Sequence, residues 1–444
     1  MVVWLVGILG VCLGTLEQFL INESRIMAAV IFVLGAALFA TVRNKQIPQW
    51  QKILLGGVSA LHIIGIFSDR WLVYTGLGVL TVLAGIVVTV WAWKNTRPQH
   101  KGQFAIQLTV SVVFYALASI ILFTTFFPAI SMGIIKKMSF PNENIRDAVQ
   151  SETMLDNGIR LVNNVCYDTE YPNGYLDIYY SAQHSSKTPP TLLVIHGGGY
   201  IWGDKSSGDP NAGELDMEDT FLMKAVNAGY NVVSLNYCLA PEYLYPDSII
   251  QLNNGLAYLK SHAAELGLNM EQVFLNGGSA GGNLAGVLAN LQTNPDYAQK
   301  MQITPALDAE NIRGILFESS LFDNSQYGVT HDVGMDYLFY QLGRVYLQLN
   351  DLQHDTTGKV AASNVIDNVT TNFPPCVISD GNSGTFYEQA FAMNARLVEL
   401  GVECKFIYYP KTVARLGHGY ESLGSPCAKV TQERMLEFMN AHCE

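Results

Sequence analysis

The sequence has few charged residues and lacks the common motifs that bind metals or nucleotides. Only 14% of its 444 residues are Asp, Glu, Lys or Arg, against ~25% in typical soluble proteins. Its seven cysteines form no C-x-x-C pair and no Cys/His cluster with the spacing of a metal site. Neither a phosphate-binding loop nor a dinucleotide fingerprint occurs. We therefore expect no metal and no cofactor.

Charge is distributed unevenly along the chain. Residues 1–140 hold ten Lys/Arg and three Asp/Glu, a net charge of +7, whereas the remaining residues hold sixteen and thirty-five, a net charge of −19. The acidic part is unsuited to binding nucleic acid, so we expect no nucleic-acid partner. A basic, apolar N-terminal part joined to an acidic part is typical of a membrane anchor followed by a soluble domain.

Long apolar runs fill the first 130 residues. Most reach or approach the ~20 residues that cross a bilayer core. The five runs are Val2–Leu20, Ile26–Val42, Ile53–Phe67, Trp71–Trp93 and Phe104–Ile130. The first run lacks the basic start of a cleaved signal peptide, and the third is the shortest, with His62 in its middle. We predict an all-α transmembrane bundle of about five helices over residues 1–130, with the lipid bilayer as a partner, and a juxtamembrane linker over residues 131–151.

The positions of lysine and arginine predict the orientation in the membrane, because basic loops stay in the cytoplasm. The loops after the second and fourth runs are the basic ones, with Arg43, Lys45, Lys52, Lys94, Arg97 and Lys101. The other two loops carry only Arg25 and Arg70. We predict a multi-pass protein of the cell membrane whose C-terminal domain is extracellular. Lys136 and Lys137 oppose this orientation, and the domain would be cytoplasmic if one run did not span.

Beyond residue 151, short apolar runs alternate with amphipathic ones, which is typical of a mostly parallel sheet with crossover helices. Strands are expected at Tyr175–Tyr180, Thr191–Ile195, Asn231–Leu235, Gln272–Leu275, Arg313–Phe317, Pro375–Asp380 and Cys404–Tyr409. Helices are expected at Ile249–Ala264, Gly282–Leu291, Phe386–Leu400 and Val430–Ala441. We predict an α/β domain over residues 152–444. Residues 323–373 interrupt the alternation at the edge of the sheet that carries active sites, so they are predicted to form a cap insertion.

Two glycine-rich runs carry the chemistry. Asn276–Gly282 contains the pattern G-x-S-x-G, in which Ser279 follows a strand on a turn too tight for larger neighbours. Eighty residues earlier, His196–Gly199 offers backbone N–H groups that can stabilise an oxyanion. Together the two runs indicate a serine hydrolase.

Four motifs in this order resemble the alpha/beta hydrolase superfamily, and within it the branch of hormone-sensitive-lipase-like enzymes and acetyl esterases. They are His196-Gly197-Gly198-Gly199-Tyr200, Tyr237-Cys238-Leu239-Ala240-Pro241-Glu242, Gly277-Gly278-Ser279-Ala280-Gly281-Gly282 and His418-Gly419-Tyr420. The resemblance covers residues from about 160 to 444 and leaves out the apolar N-terminal part. It implies the alpha/beta hydrolase fold.

The resemblance also implies roles for individual residues. Ser279 is expected to be the nucleophile and His418 its base, because a serine hydroxyl needs a base within hydrogen-bond reach. The oxyanion hole should use the backbone N–H groups of Gly198, Gly199 and Ala280. His196 is expected to have a structural role at the start of the oxyanion loop.

The acid of the triad is where the sequence departs from the family. The family position for this residue, counted from Pro374-Pro375, is Gly384. Asp380 is the nearest carboxylate and ends a predicted strand, Glu388 begins the next helix, and Asp323 follows the preceding strand. We favour Asp380, then Glu388, then Asp323.

These features predict a membrane-anchored carboxylic-ester hydrolase that forms an acyl-enzyme on Ser279. The acetyl-esterase resemblance and the aromatic cap favour short acyl groups, and the predicted topology favours a small ester or an envelope-associated acylated substrate. One alternative is an acyltransferase that uses the same nucleophile. Another is a sensor or scaffold that has lost catalysis together with the family acid.

Overall fold

The computed structural model describes residues 2–19, 48–66, 71–95, 101–139, 144–155, 158–183, 188–206 and 220–443. The predicted run Ile26–Val42 lies outside the described residues, and so do the topology-bearing residues Arg25, Arg43, Lys45, Arg70 and Arg97. The chain divides into two compact units. The first comprises Met1–Ser131 with Val333–Gln341, and the second comprises Met132–Asp332 with Leu342–Glu444.

The first unit is helical. Its described helices are Val2–Phe19, Gln49–Ile66, Trp71–Asn95 and Lys101–Phe126. Glycines let the first and third of these helices pack closely, since a Cβ atom placed on Gly85 would lie only 2.6 Å from the Gly7 carbonyl oxygen. At a second crossing point, a Cβ atom on Gly14 would lie 2.6 Å from the Gly78 carbonyl oxygen. Close approach at small residues is common where helices associate within membranes.

Two segments of these helices are long and apolar enough to cross a bilayer, Gly76–Asn95 and Gly102–Phe126, while the apolar helix Val3–Leu16 is shorter. Large apolar side chains of the second segment are exposed, among them Ile106 at 66% and Ile120 at 60%. The two segments suggest association with a membrane. A buried core helix meets the same length and composition criteria, so the five spans and the extracellular orientation stay predictions.

A nine-stranded sheet organises the second unit. Its strands are β1 (Ser151–Met154), β2 (Arg160–Cys166), β3 (Tyr175–Tyr180), β4 (Pro190–Ile195), β5 (Asn231–Leu235), β6 (Asn269–Gly278), β7 (Ile312–Glu318), β8 (Cys376–Asp380) and β9 (Cys404–Tyr408). They lie in the order β1-β2-β3-β5-β4-β6-β7-β8-β9. The pairs β1–β2, β2–β3 and β3–β5 are antiparallel. The remaining neighbours, from β5 through β4, β6, β7 and β8 to β9, pair in parallel.

One buried apolar cluster joins the strands to the flanking helices. Leu192, Phe274, Leu316, Val377 and Ile407 come from the successive parallel strands β4, β6, β7, β8 and β9, and each is at most 1% exposed. Side chains of the C-terminal helix, including Phe438, cover them. Burying each such side chain contributes about 1.5–3 kcal/mol, so the sheet is a firm base for the loops at its carboxyl edge.

The helices of this unit agree with the predicted alternation. They are Pro128–Ser139 (which begins in the first unit), Phe221–Asn227, Asp247–Ser261, Ala263–Leu266, Ala280–Thr293, Pro295–Met301, Val333–Leu347 (shared between the units), Lys359–Ser363, Tyr387–Glu399 and Pro426–Ala441. Residues 131–139, in the first part of the predicted linker over residues 131–151, are helical. The strands β1 and β2 were not predicted. β1 is fully exposed and lacks an apolar face.

The predicted insertion over residues 323–373 lies between β7 and β8. It contains the helices Val333–Leu347 and Lys359–Ser363, joined by irregular segments. Tyr346, near the end of the longer helix, stacks on Tyr200 with ring centroids 3.7 Å apart and planes within 5°. The insertion therefore contacts the segment that follows the His196–Gly199 run.

Candidate active site

Ser279 occupies a strained turn between β6 and the helix Ala280–Thr293. Its φ of 55° and ψ of −123° lie in a region that residues other than glycine rarely adopt, and such backbone strain costs about 1–3 kcal/mol. The neighbouring glycines make the turn possible. A Cβ atom on Gly277 would lie 2.3 Å from the Gly281 carbonyl oxygen, and one on Gly281 would lie 2.2 Å from the Ile195 carbonyl oxygen. The turn presents Ser279 at the carboxyl edge of the sheet.

His418 lies within hydrogen-bond reach of this serine. Its Nε2 is 2.9 Å from Ser279 Oγ, although 139 positions separate the residues in the chain. The loop after β9 carries the histidine, and the Gly419 N–H next to it donates to Ser319 Oγ at 3.1 Å. Burial lowers the pKa of His418 to about 4. The imidazole is therefore neutral at pH 7 and can accept a proton from the serine.

A threonine hydroxyl contacts the other side of the imidazole. Thr385 Oγ1 lies 3.0 Å from His418 Nδ1 and donates to Asp380 Oδ1 at 2.5 Å. With Nε2 accepting from the serine, Nδ1 carries the proton and donates it to the threonine oxygen. The order of contacts is serine, histidine, threonine, aspartate. Asp380 thus reaches the histidine through an intervening hydroxyl group.

Asp380 is fully buried at the end of β8. Its Oδ1 also accepts the N–H of Gly381 at 2.6 Å. Burial raises the pKa of Asp380 to about 7, and the hydrogen bond from Thr385 opposes the rise. The carboxyl group therefore changes charge in the neutral range, where its ionised form would favour a positive charge on the histidine.

The other two candidate acids lie in different surroundings. Glu388 Oε1 is 3.0 Å from His331 Nε2, and both of these side chains are more than half exposed. Asp323 Oδ1 accepts the N–H of Ser325 at 2.8 Å and caps a short helical turn. Of the three predicted carboxylates, Asp380 is the one with a hydrogen bond to a residue that contacts His418.

A second buried acid supports the histidine loop and was not anticipated from the sequence. Glu421 is 0% exposed and accepts hydrogen bonds from Ser319 Oγ and Ser379 Oγ, each at 2.8 Å. Burial raises the pKa of Glu421 well above its usual range, and the nearby carboxyls of Glu318 and Asp380 add to the rise. Ser319 thus connects this acid to the Gly419 N–H. No local motif marks Glu421, although it comes only three residues after His418.

The glycine-rich loop after β4 runs beside the serine. A Cβ atom on Gly197 would lie 3.3 Å from Ser279 Cβ, and Gly198 and Gly199 have φ values of 98° and 61°. His196 stacks on Tyr237 with centroids 4.3 Å apart. Burial lowers the pKa of His196 to about 4, so it is a neutral packing residue. Ala280, on the other side of the serine, is the first residue of its helix, where backbone N–H groups have no intrahelical acceptor.

Buried apolar side chains lie between the glycine loop and the histidine. A Cβ atom on Gly199 would lie 2.6 Å from Leu342 Cδ1 and 3.3 Å from Tyr327 Oη. The Tyr327 ring is 5.7 Å from the Phe386 ring, which in turn packs edge-on against His418 at 5.1 Å. We name Leu342, Tyr327 and Phe386 the apolar cluster. All three are at most 1% exposed.

Known alpha/beta hydrolases and esterases share part of their sequence with this chain. A curated putative alpha/beta hydrolase of Acanthamoeba polyphaga mimivirus is 26% identical over 253 residues, which are 55% of this chain and 66% of that protein. The acetyl esterase of Salmonella typhi is 26% identical over 242 residues, 54% of this chain and 68% of the relative. Similarity to these proteins is limited to about two thirds of their length.

A solved structure shows the same fold. The crystal structure of esterase B from Lactobacillus rhamnosis HN001 superposes with a TM-score of 0.55 at 19% identity, and it covers 72% of this chain and 94% of the esterase. The family description of the alpha/beta hydrolase fold matches residues 192–419, just over half of the chain. These similarities support a carboxylic-ester hydrolase. The chain belongs to the alpha/beta hydrolase fold family.

Proposed function

We propose that this protein is a membrane-anchored serine esterase that hydrolyses short-acyl carboxylic esters through an acyl-enzyme on Ser279. The observation that carries the proposal is the 2.9 Å contact between Ser279 Oγ and a buried, neutral His418, at a turn that strains the serine. A merely structural serine at the start of a helix needs neither that backbone conformation nor a buried base.

In the acylation step, Ser279 Oγ attacks the carbonyl carbon of the ester while its proton moves to His418 Nε2. The carbonyl oxygen becomes an oxyanion, which the backbone N–H groups of Gly198, Gly199 and Ala280 would stabilise. Collapse of the tetrahedral intermediate breaks the bond to the alcohol, and the proton on Nε2 passes to the leaving oxygen. The alcohol departs and the acyl group stays on the serine.

In the deacylation step, His418 takes a proton from water, and the hydroxyl attacks the acyl carbon. The proton then returns to Ser279 Oγ as the carboxylic acid leaves. In both steps the histidine is transiently positive. Thr385 accepts from Nδ1–H and donates to Asp380, so this chain of hydrogen bonds orients the ring and stabilises its charge.

The apolar cluster of Leu342, Tyr327 and Phe386 supports a preference for short acyl groups. Leu342 and Tyr327 lie so close to Gly199 that even one added Cβ atom would contact them, and Phe386 fills the space next to the histidine. A small acyl group such as acetyl would displace these side chains least. Acetyl esterases are also among the relatives of this chain.

The apolar N-terminal helices support attachment to a membrane. The segment Gly102–Phe126 leaves apolar side chains exposed over most of its length, and lipid is the environment that accepts such a surface. We propose a multi-pass anchor with the hydrolase domain outside the cell, where acylated envelope glycans or lipids would be its substrates. A membrane-impermeant protease added to intact cells should then remove the hydrolase domain, whereas protection of that domain until the cells are lysed would contradict this orientation.

The activity is tested with the full-length protein in detergent. We expect p-nitrophenyl acetate to be cleaved faster than esters of longer acids, and Ser279→Ala to abolish the reaction. Ser261→Ala, which changes an exposed serine, should be as active as the wild type. Equal rates for Ser279→Ala and wild type would refute the proposal. Added acceptor alcohols show whether the acyl group goes to water or, as in an acyltransferase, mainly to the alcohol.

A further inference from the structure

The segment that leads into the hydrolase domain is not a free linker. Lys136, in the helix Pro128–Ser139, is 1% exposed although it carries a charge. Its Nζ donates to the Ala240 carbonyl oxygen at 3.2 Å and lies 2.8 Å from Glu242 Oε2. A lysine that loses nearly all contact with water needs such partners. The burial therefore fixes this helix on the loop Leu239–Glu242, which we name the support loop.

Asn144 binds the same loop from a second point. Its side-chain oxygen accepts the N–H of Leu239 at 2.9 Å, and its side-chain nitrogen donates to the Leu239 carbonyl oxygen at 3.2 Å. The same nitrogen lies 3.3 Å from Glu242 Oε2. Lys136 and Asn144 together hold the first, second and last residues of the support loop.

The support loop in turn holds the segment His196–Tyr200, which we name the oxyanion loop. The Ala240 N–H donates to the Tyr200 carbonyl oxygen at 2.9 Å. Tyr200 directly follows Gly199 and has a φ of 65°, which is unfavourable for a residue with a bulky side chain. A conformation of this kind persists only when its surroundings enforce it. Ala240 therefore connects the two parts: its carbonyl oxygen accepts from Lys136, and its N–H donates to the oxyanion loop.

We propose that Lys136 and Asn144 are positioning residues for the oxyanion loop. The helix Pro128–Ser139, which carries Lys136, would then contribute to catalysis. The proposal rests on the esterase function proposed above. It predicts that loss of either side chain weakens stabilisation of the transition state more than it weakens substrate binding, because an oxyanion donor matters most when the charge has formed.

The test uses full-length protein in detergent and p-nitrophenyl acetate. Lys136→Met removes the donor and keeps most of the side-chain length, and Lys137→Met changes the adjacent lysine, which is exposed. We expect Lys136→Met to lower kcat about tenfold and to change KM little. Lys137→Met should have the same kcat and KM as the wild type. Rates are expressed per active site by titrating Ser279 with a phosphonate, which removes any contribution from misfolded protein.

The proposal would be overturned if the per-site kcat of Lys136→Met equalled that of the wild type, so that any loss of total activity came only from fewer titratable sites. Asn144→Leu gives an independent variant should Lys136→Met not fold, with the same expectation. Hydrogen exchange at residues 197–200 provides a readout without substrate, and we expect it to speed up in both variants. If wild-type protein cleaves no ester, the function fails, whereas unchanged exchange with active wild type contradicts the positioning role alone.

Discussion

The Thr385 hydroxyl makes the sharpest prediction about the site, because it replaces the direct carboxylate contact of the family. In Thr385→Val the side chain keeps its shape, but Nδ1 of His418 loses its hydrogen bond to the threonine oxygen and Asp380 loses a donor. A hydrogen bond to a charged group contributes about 1.5–3 kcal/mol, and the histidine is charged in the transition state. At ~1.36 kcal/mol per tenfold change in rate, kcat should fall about 10- to 150-fold.

The assay is steady-state hydrolysis of p-nitrophenyl acetate, with Thr385→Ser as the matched control. The serine hydroxyl can make both hydrogen bonds, so this variant should stay within about threefold of the wild type. KM should change little in either variant, because the contact strengthens only as the histidine gains charge. A Thr385→Val enzyme with wild-type kcat would refute the role of the hydrogen bonds from His418 through Thr385 to Asp380. Another partner of Nδ1 would then have to stabilise the charged histidine.

Three further predictions concern pH, acyl length and the serine turn. The kcat/KM of the wild type should rise with pH through about 7 as Asp380 ionises, and Asp380→Asn should remove that rise. Because the pKa of Asp380 is raised in the folded state, its contribution to the free energy of unfolding should fall as pH increases from about 4 to 7. Denaturant unfolding of the wild type and Asp380→Asn at several pH values measures this change. Leu342→Ala should raise the rate for butyrate esters relative to acetate esters, and an unchanged ratio would exclude Leu342 from the acyl site. Gly281→Val should abolish activity and lower Tm, because its Cβ would lie 2.2 Å from a backbone oxygen that cannot move; an active, stable variant would mean that the turn is looser than the structure shows.

Features encoded by short sequence patterns were predicted well. The strands Tyr175–Tyr180 and Asn231–Leu235 have the predicted bounds, and the others differ by a few residues at their ends. Both strands are almost entirely buried, and a short, mostly apolar run bounded by turns is the signal of a strand inside a sheet. The exposed edge strand Ser151–Met154 has no such run, so its pairing with Arg160–Cys166 was missed.

The third partner of the histidine could not be predicted in the same way. Thr385 directly follows Gly384, the family position of the acid, but its role depends on a turn that brings it to His418 across 33 positions. Gly384 adopts a φ of 61° in that turn, which permits the chain to double back. A search limited to carboxylates identifies Asp380 and overlooks the hydroxyl between the two residues.

The docking of Lys136 also lay beyond the sequence. From the sequence we predict a juxtamembrane linker over residues 131–151 and use Lys136 only as an observation that opposes the predicted orientation. The structure instead buries Lys136 against Ala240 and Glu242, more than 100 positions away. Contacts of this kind arise only from the tertiary fold, and no periodicity in the chain signals them.

The most direct test of the account is to identify the residue that carries the acyl group during turnover. Full-length enzyme mixed with p-nitrophenyl acetate and quenched in acid within the first turnover should yield a peptide acetylated on Ser279, with a burst of one p-nitrophenol per active site. Ser279→Ala should show neither the burst nor the modified peptide. A burst that persists in Ser279→Ala, or an acetyl group found on another residue, would contradict the central claim.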